Sequence, residues 1–172
     1  MSYIYTVNDI AFFLNFANFK LSDELFVLDE LWAEQKHIDK RYWNNKALFK
    51  KDVWQELSIF TSRNDVDEID SIMRDIDPEY ILSSSEYEQN AILHFFKIVQ
   101  LELLYIEGRK VIKIKLRKLL KYFGYKRRSQ TLIENIVLTM NLLSLTPYLR
   151  GNVPCDIATA DLDVMIMIRL KN

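Results

Sequence analysis

Apolar side chains recur every three or four positions through the first hundred residues, which places them on one face of a helix. This spacing predicts four helices: residues 7–19, a second helix capped by Ser22, residues 48–57, and a segment from Asn64 to Asp77. The next segment, from Glu86 to Tyr105, is apolar on nearly its whole circumference. Such a helix is typically central and packed on several sides.

The pattern divides the chain at this central helix. We expect residues 1–85 to form a helical domain and residues 86–172 to form a second module, with the apolar helix over residues 86–105 joining them. Beyond that helix the hydrophobic period changes. Lys110 to Ile114 alternates polar and β-branched side chains, which predicts a short strand.

Two further helices follow the predicted strand. The first runs from Leu116 to Phe123, and Gly124 supplies the left-handed residue that commonly ends a helix. Ser129 is suited to cap the second, longer helix. Helical spacing predicts that six of its side chains face inward: Leu132, Ile133, Ile136, Val137, Met140 and Leu143.

The C-terminal residues add turns and strands. Pro147 and Gly151 mark turns, a strand falls within Thr146 to Asp156, and the apolar run from Val164 to Ile168 predicts a buried strand. The order of helix, strand, short helix, tight turn, longer helix, loop and strand is that of a winged helix-turn-helix. The predicted fold class is therefore mainly α: an N-terminal helical bundle followed by a winged helix-turn-helix-like module with a small β-sheet.

Four short segments of this C-terminal region carry a likeness to a known family: Leu116-Arg117-Lys118-Leu119-Leu120, Phe123-Gly124-Tyr125-Lys126-Arg127-Arg128-Ser129, Leu145-Thr146 and Asp161-Leu162-Asp163. Together they resemble a winged-helix-type module that accompanies restriction- and defence-associated bacterial proteins. The chain departs from that module in one loop, where Tyr148 to Asn152 replaces an acidic and aromatic sequence. The resemblance implies a small winged-helix-type module of a restriction- or defence-associated bacterial protein.

Charge is distributed unevenly along the chain. The formal net charge is only −1, yet ten basic residues and no acidic one lie between Gly108 and Gln130. A localised positive segment attracts polyanions, so nucleic acid is the first partner to test. The ten residues of this basic segment are Arg109, Lys110, Lys113, Lys115, Arg117, Lys118, Lys121, Lys126, Arg127 and Arg128.

We predict that the basic segment and the start of the following helix bind double-stranded DNA. In a winged helix the third helix enters the major groove with its first residues, while neighbouring cations contact phosphates. The predicted nucleic-acid-binding residues are Lys113, Lys115, Arg117, Lys118, Lys121, Lys126, Arg127, Arg128, Ser129, Gln130, Thr131 and Asn135. We also expect a homodimer that reads two half-sites, with the apolar strand from Val164 to Ile168 at an edge that needs cover.

Two other roles for the basic segment stay open. Its cations could be the solvated faces of a strand and a helix, or they could dock on an acidic protein surface. Residues 1–107 hold 20 of the 24 acidic residues, so that surface could belong to this chain. The acidic N-terminal half also suggests an alternative function for the protein. It could be an inhibitor or adaptor whose acidic half docks on a basic partner protein.

Composition indicates the compartment. Hydrophobic residues make up 49% and charged residues 27% of the chain, as in soluble globular proteins. Cys155 is the only cysteine, so no intramolecular disulfide and no cysteine metal cluster can form. The sequence contains neither a signal peptide nor an apolar run of the roughly 20 residues that cross a membrane. We expect a cytoplasmic protein without a membrane partner.

Signals for catalysis are weak, and we predict that the chain is not an enzyme and needs no cofactor. His37 and His94 have no Ser, Cys or carboxylate at a recognisable spacing. A metal site is not predicted either, because the only candidate carboxylates lack the regular oxygen spacing and Gly hinge of a calcium loop. Those carboxylates are Asp156, Asp161 and Asp163.

Three tryptophans, Trp32, Trp43 and Trp54, recur every eleven residues. An exposed ladder of this kind could stack on unpaired bases. Packing anchors are the more common role of tryptophan, and Asn44-Asn45 interrupts the helix that a ladder needs. We therefore assign the tryptophans to the core.

Overall fold

The computed structural model describes residues 2–62 and 85–171, with the side chains of residues 61, 62 and 85–88 left aside. The described chain is mainly helical and contains a small four-stranded antiparallel sheet. It divides into two compact units, one formed by residues 2–62 and 104–107 and the other by residues 85–103 and 108–171. The helix predicted from Asn64 to Asp77 lies outside the described residues.

The first unit is a set of helices. Three α-helices and two short 3₁₀ turns follow one another in this order: α1 Val7–Ala17, α2 Leu21–Ala33, the turns Gln35–His37 and Lys40–Tyr42, and α3 Lys46–Ser62.

Local sequence sets the ends of these helices. Thr6 and Asp9 form a reciprocal capping box at the start of α1, with backbone-to-side-chain hydrogen bonds of 2.9 and 3.1 Å. The side chain of Asn45 accepts a hydrogen bond from the Leu48 amide at 2.9 Å, at the start of α3. The predicted cap at Ser22 is wrong, because the N-cap position of α2 lies two residues earlier, at Lys20, and has no side-chain cap.

Trp32 and Trp43 form hydrogen bonds with the backbone of the segment between α2 and α3. Trp32 Nε1 donates to the carbonyl of Tyr42 at 2.8 Å, and Trp43 Nε1 donates to the carbonyl of Ile38 at 3.3 Å. Indole N–H groups that bond to the backbone fix the path of the chain. These contacts agree with a packing role for Trp32 and Trp43. Trp54 is 37% exposed, so its assignment to the core is wrong.

The second unit combines helices with the sheet. Its elements follow the order α4 Ser85–Tyr105, whose last residues group with the first unit, β1 Ile112–Lys115, α5 Leu116–Tyr122, α6 Gln130–Leu142, β2 Leu145–Leu149, β3 Val153–Pro154 and β4 Met165–Leu170. The strands lie in the order β1-β4-β2-β3, and every neighbouring pair is antiparallel.

The register gives the sheet one buried face. Ile112, Ile168 and Pro147 lie opposite one another across β1, β4 and β2. Ile166 and Ile168 are fully buried. Since β4 pairs on both sides, the expectation that its apolar run forms a sheet edge is wrong; β1 and β3 are the edge strands.

Aromatic side chains from α4 and α5 build the core of this unit. Phe96 is fully buried, and its ring centroid lies 5.1 Å from that of Phe95 and 6.3 Å from that of Phe123. Gln100, also on α4, is buried and donates a hydrogen bond of 2.7 Å to the carbonyl of Leu143 after α6. The core therefore fixes α4 to both of the following helices. Among the described helices, none has the length and apolar character needed to cross a bilayer.

Candidate nucleic-acid interface

The basic segment occupies β1, α5 and the connection from α5 to α6. Within the described part of the chain, seven of its ten cations are exposed and form no ion pair with a carboxylate. These seven are Lys110, Lys113, Lys115, Lys118, Lys121, Lys126 and Arg127. Their side chains are exposed to an external anion, although the charge of Lys115 also acts on the Asp163 carboxylate.

Arg117 is paired. Its guanidinium makes two parallel hydrogen bonds with the Asp163 carboxylate, at 2.8 and 2.9 Å. This bidentate bond raises the pKa of Arg117 and holds the pKa of Asp163 below its usual range. The pair ties α5 to the residues before β4, so Arg117 is bound within the chain rather than presented to a ligand.

Arg109 is paired as well, with Glu102 near the end of α4. Glu102 is buried, and its burial raises the pKa of the carboxyl while the Arg109 guanidinium opposes that rise. This ion pair ties Arg109 to α4, so Arg109 is a second cation of the basic segment that has a partner within the chain.

Arg128 differs from its neighbour Arg127. Arg127 is exposed, whereas Arg128 is half-buried and its Nε and Nη2 atoms are out of contact with solvent. Neither atom has a hydrogen-bond partner among the described residues. Of these two predicted phosphate ligands, Arg127 is the exposed one.

The start of α6 places the four predicted polar residues at or near its first turn. The Ser129 hydroxyl caps the helix by accepting a hydrogen bond of 3.1 Å from the Leu132 amide. Gln130 donates to Glu134 at 2.9 Å, Thr131 is exposed, and Asn135 is half-buried. No Lys or Arg lies on α6, so the cations of the predicted site lie on β1, α5 and the connection.

One predicted core position of α6 is exposed instead. Val137 is 39% exposed, next to Leu138 at 63%, so the prediction that Val137 faces inward is wrong. The other predicted inward positions are buried: Leu132, Ile133, Ile136, Met140 and Leu143. The exposed side of α6 thus changes from polar at its start to apolar in its second half.

The fold distributes the unpaired cations over two surfaces. Lys113 and Lys115 alternate with Ile112 and Ile114 and lie on the open face of the sheet. The remaining members of the predicted site lie on helix α5 and in the connection after it: Lys118, Lys121, Lys126 and Arg127.

The three carboxylates considered for a metal have partners within the chain, and that of Asp163 is Arg117. Asp156 accepts hydrogen bonds from the Ala158 amide and the Thr159 hydroxyl, and Asp161 accepts one from the Asp163 amide. No group of three or more metal-ligating side chains occurs in the described ranges.

The two histidines have separate settings. His37 stacks on the ring of Tyr3 at 4.2 Å in the first unit. His94 is half-buried in α4 in the second unit.

Sequence reasoning missed the open face of the sheet. The run from Val164 to Ile168 was predicted to be buried, but Met165 within it is 45% exposed. Arg169 lies beyond that run, and its guanidinium lies 5.6 Å from the centre of the Tyr148 ring. The signal was present in β4, where two methionines and an arginine alternate with Ile166, Ile168 and Leu170.

A comparison with known proteins finds no matching family model, no matching curated protein and no matching solved structure. The function of the chain is therefore argued from the geometry of these surfaces.

Proposed function

We propose that this protein binds duplex DNA and that its second unit is a winged helix-turn-helix module. In this proposal α5 and α6 are the two helices of the helix-turn-helix, and the loop that carries the short β2–β3 hairpin is the wing. The protein would act as a regulator or targeting subunit of a bacterial or phage system.

The order of elements supports the module. A winged helix places its strands so that the last pairs between the first and the second, with the helix-turn-helix between the first two strands in sequence. Here β4 lies between β1 and β2, and α5 and α6 lie between β1 and β2 in sequence. Gly124, at the end of α5, has a φ of 85°, as the turn between the helices requires.

The observation that carries the proposal is the set of unpaired cations around the turn. On α5 and the connection they are exposed and lack a carboxylate partner among the described residues: Lys118, Lys121, Lys126 and Arg127. Cations on the helix before the recognition helix are positioned to contact phosphates, which supply most of the affinity for DNA.

The start of α6 supplies groups for base edges. Gln130 and Thr131 are exposed in its first turn, and a glutamine amide can pair with adenine through two hydrogen bonds. Gln130 is held by Glu134, so base recognition would require exchange of that hydrogen bond. We therefore expect phosphate contacts to dominate and sequence preference to be modest.

Neutralising two cations tests the proposal. We expect Lys121→Gln with Arg127→Gln to weaken binding to a labelled duplex and to reduce the salt dependence of log K by about 1.8, or 0.9 per lost phosphate contact. Fluorescence anisotropy at several salt concentrations measures both quantities. Arg128 is left unchanged because its buried nitrogen atoms make its removal a test of folding.

A double variant in the first unit provides the matched control. Lys20 and Lys51 are exposed, and Lys20→Gln with Lys51→Gln removes the same charge. The proposal expects this control to bind duplex DNA as the wild type does. Equal loss in both variants would mean that net charge alone drives binding, and no loss in either would remove α5 and the connection from the interface.

One observation favours a second function, docking on a basic protein. Phe26 is 61% exposed on α2, and the same helix exposes Asp23 and Glu30 three and four residues away. An exposed aromatic group with an acidic surround is suited to a partner that combines an apolar pocket with cations.

Photo-crosslinking separates this function from the first. A photoreactive phenylalanine analogue in place of Phe26 should capture a basic protein in cells, and the same analogue in place of Leu138 should not. Capture from neither position, together with retardation of duplex DNA, would leave DNA binding as the function.

A further inference from the structure

We infer that the open face of the sheet is a second nucleic-acid surface, one that takes an unpaired single strand. This inference rests on the proposed function in one respect only, namely that the partner is a nucleic acid. It concerns residues on β1, β2 and β4, away from the helix-turn-helix.

The register brings the relevant side chains together. Lys113 on β1 lies opposite Met167 on β4, which lies opposite Tyr148 on β2. Lys115 lies opposite Met165, so a second row runs beside the first. Directly opposed side chains on neighbouring strands share one face of a sheet and stand close together.

Charge on this face has one sign. Lys113 and Lys115 are exposed, and Arg169 is half-buried. Among the strand residues described on this face, no position carries a carboxylate. The carboxylate nearest in sequence, Asp163, is already engaged by Arg117. The charge of Lys115 also acts on this exposed carboxylate and helps to lower its pKa. A polyanion thus meets three cations on the strands, with one carboxylate, paired to Arg117, near Lys115.

The rest of the face is apolar and adaptable. Met165 is 45% exposed, Met167 is half-buried, and the Tyr148 ring has the Arg169 guanidinium at 5.6 Å. Methionine side chains adjust to irregular partners, and an aromatic ring beside an arginine offers a flat surface for stacking. Cations alone would suit any anion, but this apolar area is suited to a polyanion with flat faces.

A cavity continues the surface at one end. It has a volume of about 490 Å³ and is lined by Lys110, Val111 and Arg169, with Leu103 and Leu170. Arg169 therefore belongs to both the open face and the cavity. Two cations over an apolar lining are suited to the phosphate and the base of one nucleotide.

These features favour a single strand over a duplex. Bases in a duplex are stacked on one another and cannot present their faces to a sheet, whereas unpaired bases can stack on protein side chains while cations follow the backbone. A duplex would use the cations and leave Met165, Met167 and Tyr148 without a partner.

Anisotropy of a labelled oligothymidine of about 12 nucleotides tests the inference, at about 50 mM salt, where phosphate contacts are strong. We expect the full chain to bind it. Lys113→Gln with Lys115→Gln should reduce the salt dependence of log K by about 1.4, or 0.7 per phosphate contact on a single strand. The matched control, Lys20→Gln with Lys51→Gln, should leave binding unchanged.

Tyrosine variants separate stacking from folding. Tyr148→Leu should weaken oligothymidine binding about 5-fold or more, because it removes one stacked base. Tyr148→Phe retains the ring and should bind as the wild type does. Equal binding by Tyr148→Leu and Tyr148→Phe would exclude stacking on this ring and overturn the inference.

Two further outcomes decide the partner. If oligothymidine does not bind while duplex DNA does, the sheet face is not a single-strand surface although the proposed function holds. If polyglutamate displaces oligothymidine at equal charge concentration, the face recognises acidic protein and the inference is wrong. Loss of duplex binding in Lys121→Gln with Arg127→Gln, with oligothymidine binding retained, would show two separate surfaces.

Discussion

Gly124 ends α5 with a φ of 85°, a conformation that side chains with a Cβ rarely adopt. A Cβ built there meets nothing within 4 Å, so backbone strain is the only cost of a substitution. We expect Gly124→Ala to lower the free energy of unfolding by about 1 to 2 kcal/mol. Gly124→Asn should lower it less, since asparagine tolerates this region. Urea denaturation measures both, and equal stability of Gly124→Ala and the wild type would contradict the assignment.

Arg128 presents the opposite case, a residue whose replacement should stabilise the fold. Its Nε and Nη2 atoms are buried without a described partner, and an unsatisfied buried donor costs about 1 to 3 kcal/mol. Arg128→Met keeps the length of the side chain and removes those donors, so we expect the free energy of unfolding to rise by about 1 kcal/mol. Arg127→Met, at an exposed position, should change it by less than about 0.5 kcal/mol. A clear loss of stability in Arg128→Met would show that the guanidinium has a favourable interaction.

At the residue scale, the sequence shows where each cation lies along the chain but not which carboxylate it pairs with. Arg117 and Asp163 are 46 residues apart, and only the return of the chain to β4 brings them to 2.8 Å. The spacing of charges along a chain carries no information about such pairs. One of the predicted caps was correct: Ser129 bonds to an amide only three residues away, within reach of local sequence reasoning. The other, Ser22, was wrong.

At the scale of elements, α4 stabilises the second unit through Phe96. Its side chain is fully buried against Phe95 and Phe123, and truncation of a buried phenylalanine costs about 3 to 5 kcal/mol. We expect Phe96→Ala to lower the free energy of unfolding by that amount. Leu104→Ala lies on the same helix at a position that is 49% exposed and should cost far less. Equal effects of the two variants in thermal denaturation would contradict the described packing.

The end of α4 makes stability depend on pH through Glu102. Burial raises the pKa of this carboxyl in the folded state, and Arg109 opposes the rise without cancelling it. The folded protein therefore retains this proton after the unfolded chain has lost it, so ionisation lowers stability as pH rises above the ordinary pKa of a glutamate. Glu102→Gln does not ionise, and we expect its stability relative to the wild type to increase over that pH range. A constant difference between the two proteins from pH 4 to pH 7 would contradict the raised pKa.

Most described helices were predicted from hydrophobic spacing, because their buried faces repeat over several turns. The strands were harder. The β2–β3 hairpin has one strand of only two residues, Val153–Pro154, which is too short for a periodic signal. In β4 the methionines on the open face are apolar, like the isoleucines on the buried face, so Arg169 is the one polar residue that marks the alternation in this strand.

For the whole molecule, the order of helices and strands along the chain could be predicted from the sequence. The order in which the strands lie side by side in the sheet could not. Nothing in the sequence specifies that β4 lies between β1 and β2, since pairing between distant strands depends on tertiary packing. That order places Lys113 and Lys115 on a sheet face and leaves the other predicted cations on α5 and the connection. A single basic segment in the sequence thus becomes two surfaces in the fold.

The expected homodimer is a property of the whole molecule that β4 cannot explain, because β4 is an interior strand. Exposed Val137 and Leu138 on α6 provide the apolar area that a dimer would cover. We expect sedimentation equilibrium at micromolar concentration to give twice the chain mass of 20.5 kDa, and Leu138→Gln to shift the distribution towards monomer. A wild type that sediments only as a monomer would contradict this prediction.

Salt dependence of duplex binding tests the central claim most directly. If the four unpaired cations of α5 and the connection each neutralise one phosphate, log K should fall with log salt with a slope of about −3.6. Raising salt from about 50 to 200 mM should then weaken wild-type binding about 150-fold in an anisotropy titration. Absence of duplex binding at 50 mM, or an affinity that does not change with salt, would contradict the account.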